Sequence, residues 1–247
     1  MLKEICSEAS PPCTLSCNFL ASKGIKADYS LCPETPEVLN AKFELFRDTS
    51  SIVKLAKKYP YSPYSTKALP FLDRLDSLRV LLERGFYDSV LSLADTTKSE
   101  EYKLYLIAKS KKEPLSFKEM VQLPKWYLKN YISKPLRRVL SEGNYDSIEA
   151  YLRVLAEIDE ERAFRIMTHE VAKLEHKTLG YRLYGILKSY LKESSTPSAY
   201  NWLGLSAYIL GYIEEAYNLF YKAYQKAERG SFERSRSAFW LYKITRD

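Results

Sequence analysis

Apolar residues recur at intervals of three and four along most of the chain, as at Leu75, Leu78 and Leu82. This spacing places them on one face of an α-helix. No segment alternates apolar and polar residues for long enough to predict a β-strand, and the sequence has no Asn-Gly or Asp-Gly hairpin turn. The pattern therefore predicts an all-α fold.

Signals for helix starts are found from residue 35 onward. At Thr35 and at Thr196 a potential N-cap residue stands directly before a proline, which suits the first turn of a helix. Ser116 and Glu119 have the spacing of a capping box. These signals divide residues 35–247 into a succession of separate helices.

An internal repeat indicates that these helices are organised in pairs. The segment LRVLLERGFYDSV at residues 78–90 aligns with LRRVLSEGNYDSI at residues 136–148, and a looser copy surrounds Gly211. In each copy a glycine can end one helix in the left-handed conformation before the next helix begins. The glycines are separated by about twice the length of a helix-hairpin unit. We expect an array of about five or six hairpins.

The sharpest unit lies at residues 197–230. Its characteristic positions are Tyr200, Leu203, Gly204, Gly211, Ala216, Phe220 and Ala223. This spacing resembles the tetratricopeptide repeat, whose small residues let two antiparallel helices approach closely. The resemblance implies a superhelix, or solenoid, of antiparallel helix hairpins over residues 35–247, with a tetratricopeptide-like unit at its C-terminal end.

Two further segments resemble bacterial envelope proteins. KKYPYSPYSTKAL at residues 57–69 is similar to the junction between repeats in lipoproteins of outer-membrane assembly and in the superhelical region of soluble lytic transglycosylases. SFERSRSAFW at residues 231–240 is similar to helices of the same transglycosylases. Nothing in the sequence matches their catalytic domain, which carries a Glu-Ser motif and a Gly-Leu-Met-Gln segment. The resemblance therefore implies the scaffold region without the catalytic domain.

All four cysteines lie at the start of the chain, at Cys6, Cys13, Cys17 and Cys32. Two disulfides that staple a short leader at residues 1–34 are the favoured interpretation, and they would require an oxidising compartment. A four-cysteine metal site fits poorly because no C-x2-C pair occurs, and free thiols remain as the third alternative.

Charge and hydropathy limit the ligands and the cellular locations that the sequence predicts. The net charge is +7, but the cations alternate with acidic residues along the helices, which disfavours a nucleic-acid-binding stripe. No apolar run is long enough to span a membrane. No signal peptide is visible, although a mature domain whose signal has been removed would look the same. We expect a periplasmic or otherwise extracytoplasmic location, with the cytoplasm as the alternative.

The sequence gives only weak signals for a catalytic site. His169 has Lys173 where a zinc-protease helix would need its second histidine, and His176 is two helical turns away. Paired glutamates lie near predicted helix starts, where they complement the helix dipole. No phosphate-binding glycine loop or nucleophile elbow occurs. We predict no catalytic residue, no metal site and no cofactor.

A binding role follows from the repeat resemblance. Positions that line the inner groove of tetratricopeptide proteins correspond here to Asn201, Tyr208, Arg236 and Tyr242. We therefore expect a non-catalytic interaction scaffold that binds a protein segment or a peptidoglycan strand on its concave face, in the bacterial envelope. The alternative is the scaffold fragment of a lytic transglycosylase whose catalytic domain is not in this chain.

Overall fold

A computed structural model describes residues 11–143, 145–173 and 177–246. Within these ranges the chain forms α-helices and one short 3-10 helix, and it contains no β-strand. The predicted all-α fold is thereby confirmed.

The chain divides into two compact units, the first ending at Leu123 and the second beginning at Pro124. The helices of the first unit are α1 (Pro11–Ser22), α2 (Pro36–Phe46), α3 (Thr49–Lys58), α4 (Arg74–Glu83), α5 (Tyr87–Leu93), α6 (Ser99–Lys112) and α7 (Phe117–Met120). A 3-10 helix, Ser65–Phe71, lies between α3 and α4. The helices of the second unit are α8 (Lys125–Tyr131), α9 (Ser133–Glu142), α10 (Tyr145–Ile158), α11 (Glu160–Lys173), α12 (Lys177–Tyr190), α13 (Pro197–Leu210), α14 (Ile213–Lys226) and α15 (Phe232–Arg246).

This division differs from the predicted boundary between residues 34 and 35. The leader already contains α1, and Cys17 and Cys32 are buried in the same core cluster as Val38 and Ala41 of α2. Because the leader and α2 share this core, residues on the two sides of the predicted boundary belong to one compact unit.

The predicted helix caps are present. Thr35 accepts a hydrogen bond from the backbone N–H of Val38, and Thr196 does the same for Ala199. Ser116 begins α7 with both reciprocal bonds of a capping box. The repeat glycines also end helices as expected, since Gly143 and Gly211 have φ angles of 68° and 87°.

The hairpin of α13 and α14 packs through small residues. A Cβ atom on Gly204 would lie 3.0 Å from a ring atom of Phe220, which is fully buried. Ala216 and Ala223 of α14 and Leu203 of α13 are buried as well. The helix pair expected at residues 197–230 is therefore formed, whereas the stacking of such pairs into a superhelix stays a prediction.

Candidate ligand-binding cleft

A cleft with a volume of about 580 Å³ lies between α9 and α11 of the second unit. Its apolar lining comes from Leu136, Leu140 and Ile166. Leu136 is buried, and the other two side chains are partly exposed. The cleft thus offers an aliphatic floor that a ligand can reach.

The periodicity of α11 directs four nitrogen-bearing side chains into this cleft. Arg162, Arg165, His169 and Lys173 follow one another at intervals of three and four residues, which aligns them along one side of the helix. Buried apolar residues of the same helix, such as Phe164, lie on its other side. On α9, Arg137 is one residue past the buried Leu136 and faces the same cleft.

Two of these side chains already form contacts within the protein. The guanidinium of Arg162 donates to the backbone oxygen of Lys129 at 2.8 Å and also to the hydroxyl of Ser133. Lys173 forms an ion pair with Glu170, with 3.1 Å between Nζ and Oε1. Arg162 therefore ties α11 to the start of α9, and Glu170 is already neutralised.

Arg137 and Arg165 have no such role. Both side chains are exposed, and neither forms an ion pair, a hydrogen bond or a ring contact with any residue that the structure describes. The neighbouring Arg138 differs, since its Nε atom lies 2.7 Å from Glu142. Two guanidinium groups thus face the cleft without a counterion, and they can form charge-assisted hydrogen bonds to an anionic ligand.

An aromatic cluster adjoins the cleft at His169. The His169 ring lies 5.7 Å from that of Trp202 on α13, between ring centroids. The guanidinium of Arg236 on α15 stands 3.8 Å over the same Trp202 ring. Burial lowers the pKa of Arg236, while the negative charges of Glu233 and Glu161 oppose that shift. Trp202 thus holds a third, partly desolvated cation beside the cleft.

The structure places the predicted groove residues in different surroundings. Asn201 is fully buried, donates to the backbone and side-chain oxygens of Glu233 at 3.1 and 2.5 Å, and accepts from Ser237 at 2.8 Å. Its amide links α13 to α15, so the prediction that Asn201 lines an open groove is wrong. The side chain faces inward because α15 covers it.

The other three predicted residues keep some exposure. Arg236 lies on Trp202, as described above. Tyr208 is half-buried, and its ring lies 5.2 Å from Trp240. Tyr242 is exposed on α15, with the guanidinium of Arg246 at 4.5 Å from its ring centroid. Contacts through the Trp202 and His169 rings connect Arg236 to the cleft.

The cysteine prediction is confirmed for one pair. Cys17 and Cys32 form a disulfide with a Cα–Cα distance of 5.8 Å. The Sγ atom of Cys13 lies 3.9 Å from that of Cys17, and none of the cysteines within the described ranges is a free thiol. Cys6 and His176 lie outside the described residues.

The described part of the chain has no group of three or more His, Cys, Asp or Glu side chains arranged to hold a metal ion. Among the helices described above, none is long and apolar enough to cross a membrane. No family model, curated protein or solved structure matches this chain.

Proposed function

We propose that the second unit is a non-catalytic interaction scaffold that binds a segment of a partner protein in the cleft between α9 and α11. The observation that supports this most directly is that two exposed guanidinium groups without an ion pair, those of Arg137 from α9 and Arg165 from α11, line the same cleft as its aliphatic residues. The neighbouring Arg138 is paired with Glu142, whereas Arg137 and Arg165 keep their donors open towards the cleft. Charges that the fold leaves unused are available to a ligand.

The framework around the cleft is held by buried contacts. The hydroxyl of Thr168 on α11 lies 2.7 Å from that of Ser206 on α13, and it donates to the backbone oxygen of Trp202 at 2.9 Å. Arg162 ties α11 to α9 through Ser133 and Lys129. Because these links order the helices before any ligand arrives, binding would cost less conformational entropy.

The compartment is part of the proposal. The buried Cys17–Cys32 disulfide favours an oxidising environment, such as the periplasm or another extracytoplasmic space. The bacterial envelope, a peptidoglycan ligand and the alternative of a lytic transglycosylase scaffold depend on the resemblances at residues 57–69 and 231–240. In this setting the partner would be a secreted or membrane-anchored protein.

A peptide-display selection on the natively oxidised protein tests the scaffold role. We expect enriched peptides to bind in solution with dissociation constants in roughly the micromolar range, and to protect α9 and α11 from hydrogen exchange. Intact peptidoglycan sacculi provide the second arm. Sedimentation with sacculi and no retained peptide would replace the protein segment by a glycan ligand, and release of soluble muropeptides would contradict a non-catalytic role.

A further inference from the structure

We infer that the cleft between α9 and α11 is specific for an acidic amphipathic segment, in which carboxylates flank one apolar side chain. This inference depends on the proposed scaffold function and specifies its ligand. It follows from the juxtaposition of two features that a single ligand must satisfy together: the aliphatic floor and the cationic rim.

The floor selects for an apolar side chain. Leu140 and Ile166 are partly exposed inside the cleft, and the buried Leu136 lies next to them. An aliphatic or aromatic side chain placed there would remove both surfaces from water, which is favourable in proportion to the area covered. A ligand with only charged side chains would leave these apolar surfaces in contact with water, so they would contribute nothing to its binding free energy.

The rim selects for carboxylates. Each arginine presents a planar fork of donors that matches a carboxylate in a bidentate geometry. Glu170 is the acidic residue among those lining the cleft, and its ion pair with Lys173 limits its repulsion of an anion. Arg137 from α9 and Arg165 from α11 can thus each hold a carboxylate of one ligand whose apolar side chain covers the floor.

The aromatic neighbour favours a protein over a nucleic acid. Single-stranded nucleic acids are held by bases that stack on open aromatic rings. Trp202 carries Arg236 at 3.8 Å over its ring and has the His169 ring beside it, so its ring is already engaged by these side chains and offers no open stacking surface. The aliphatic floor likewise has no use in binding a phosphate backbone.

Fluorescence anisotropy with four labelled probes tests the inference. The probes are a short peptide with glutamates flanking a leucine, the same peptide with serine in place of leucine, its lysine counterpart, and oligo(dT). We expect the glutamate–leucine peptide to bind most tightly and to weaken as salt rises. Replacing its leucine by serine should weaken binding about fivefold or more, because a single buried aliphatic side chain contributes at least that much.

Matched variants distinguish binding in the cleft from attraction by the net charge of the protein. Arg137→Ala combined with Arg165→Ala should weaken binding of the glutamate–leucine peptide about tenfold or more. The control combines Arg138→Ala with Arg153→Ala, which removes the same charge from two exposed arginines already paired with Glu142 and Glu149. This control should change binding less than about threefold. The double variant Arg137→Lys and Arg165→Lys keeps both charges but loses the bidentate guanidinium donors. Its loss of binding should lie between the losses of the two double alanine variants.

Each other outcome overturns the inference. Equal losses in the two double alanine variants would mean that net charge alone attracts the peptide. Tighter binding of oligo(dT) would assign the cleft to nucleic acid. If selected peptides bind the protein but acidic ones do not, the scaffold function stands and the ligand class is wrong, whereas failure of every peptide removes both.

Discussion

The two compact units use charge differently. Both units contain ion pairs between helices, but the first unit also pairs a buried acid: Nε of Arg74 lies 2.9 Å from the buried Glu101 carboxylate. In the second unit, Arg137 and Arg165 face a cleft with no partner within the described residues. The contrast is between a carboxylate that the first unit buries and pairs, and two guanidinium groups that the second unit leaves facing a cleft.

The units also differ in what fixes their helices. The first unit has helices of 4 to 14 residues and a disulfide between α1 and the loop that precedes α2. In the second unit α10 to α14 are each 14 residues long, and α13 meets α14 through Gly204 against Phe220. A covalent link supports a region of short helices, while regular helices are held by close packing.

The largest expected effect tests the packing of the second unit. Phe220→Asp places a carboxylate in a fully buried site against Gly204, which should destabilise the second unit by about 4 kcal/mol or more. Leu203→Asp should act in the same way, because Leu203 is also fully buried. Hydrogen exchange followed by mass spectrometry should show lost protection in α13 and α14.

The neighbouring Tyr221 provides the control, since it is 46% exposed and Tyr221→Asp should alter stability by no more than about 0.5 kcal/mol. Protection in the first unit should persist in the Phe220→Asp variant. Collapse of both regions together would break the comparison between the units, and an unchanged melting curve would refute the helix alignment at residues 197–230.

The second prediction concerns the disulfide. Cys17→Ala combined with Cys32→Ala opens a link between residues 15 apart in sequence, which should cost about 3 kcal/mol. The loss should be confined to the first unit, because the buried disulfide belongs to the same core as Val38. Urea denaturation gives the change in free energy, and exchange protection shows where it occurs. Equal loss of protection in α13 and α14 would contradict a local staple.

The sequence predicts the ends of helices better than the surfaces between them. The caps at Thr35 and Thr196 and the turn at Gly211 act within a few residues, so their signals are complete in the local sequence. The cleft is different, because Arg137 and Arg165 belong to separate helices. The three- and four-residue spacing of Arg, His and Lys residues on α11 was a usable signal, but only the packing of α9 shows what those side chains face.

Asn201 shows a second reason why the sequence alone does not identify a binding surface. Its position in the repeat pattern predicts the face of α13 on which it lies, and that face is also where α15 packs. Periodicity identifies a helix face without revealing whether solvent or another helix covers it. A polar residue on such a face can therefore be a buried link as well as a ligand contact.

The smallest expected effect concerns the ion pairs of the first unit, whose contribution to stability should depend on pH. Glu119 accepts from Lys109 at 2.6 Å and from the Ser116 hydroxyl at 2.7 Å, and these bonds lower its pKa from 4.5 to about 2. The folded protein thus releases this proton at a lower pH than the unfolded chain. The resulting stabilisation is complete above the ordinary pKa and is lost as the pH falls towards 2.

Glu119→Gln should accordingly lower the stability of the first unit near neutral pH, and the variant and the parent should converge in acid. The measurement is a series of urea titrations between pH 7 and pH 2.5, compared as differences so that the other carboxylates cancel. Glu113→Gln is the matched control, since Glu113 faces the same lysine at 3.5 Å but lacks the bonds to Ser116. If both variants tracked the parent at every pH, the ion pair between α6 and α7 would be a surface contact without energetic weight. The first unit would then owe its stability to its core and its disulfide, and its ion pairs would not contrast energetically with the unpaired arginines of the cleft.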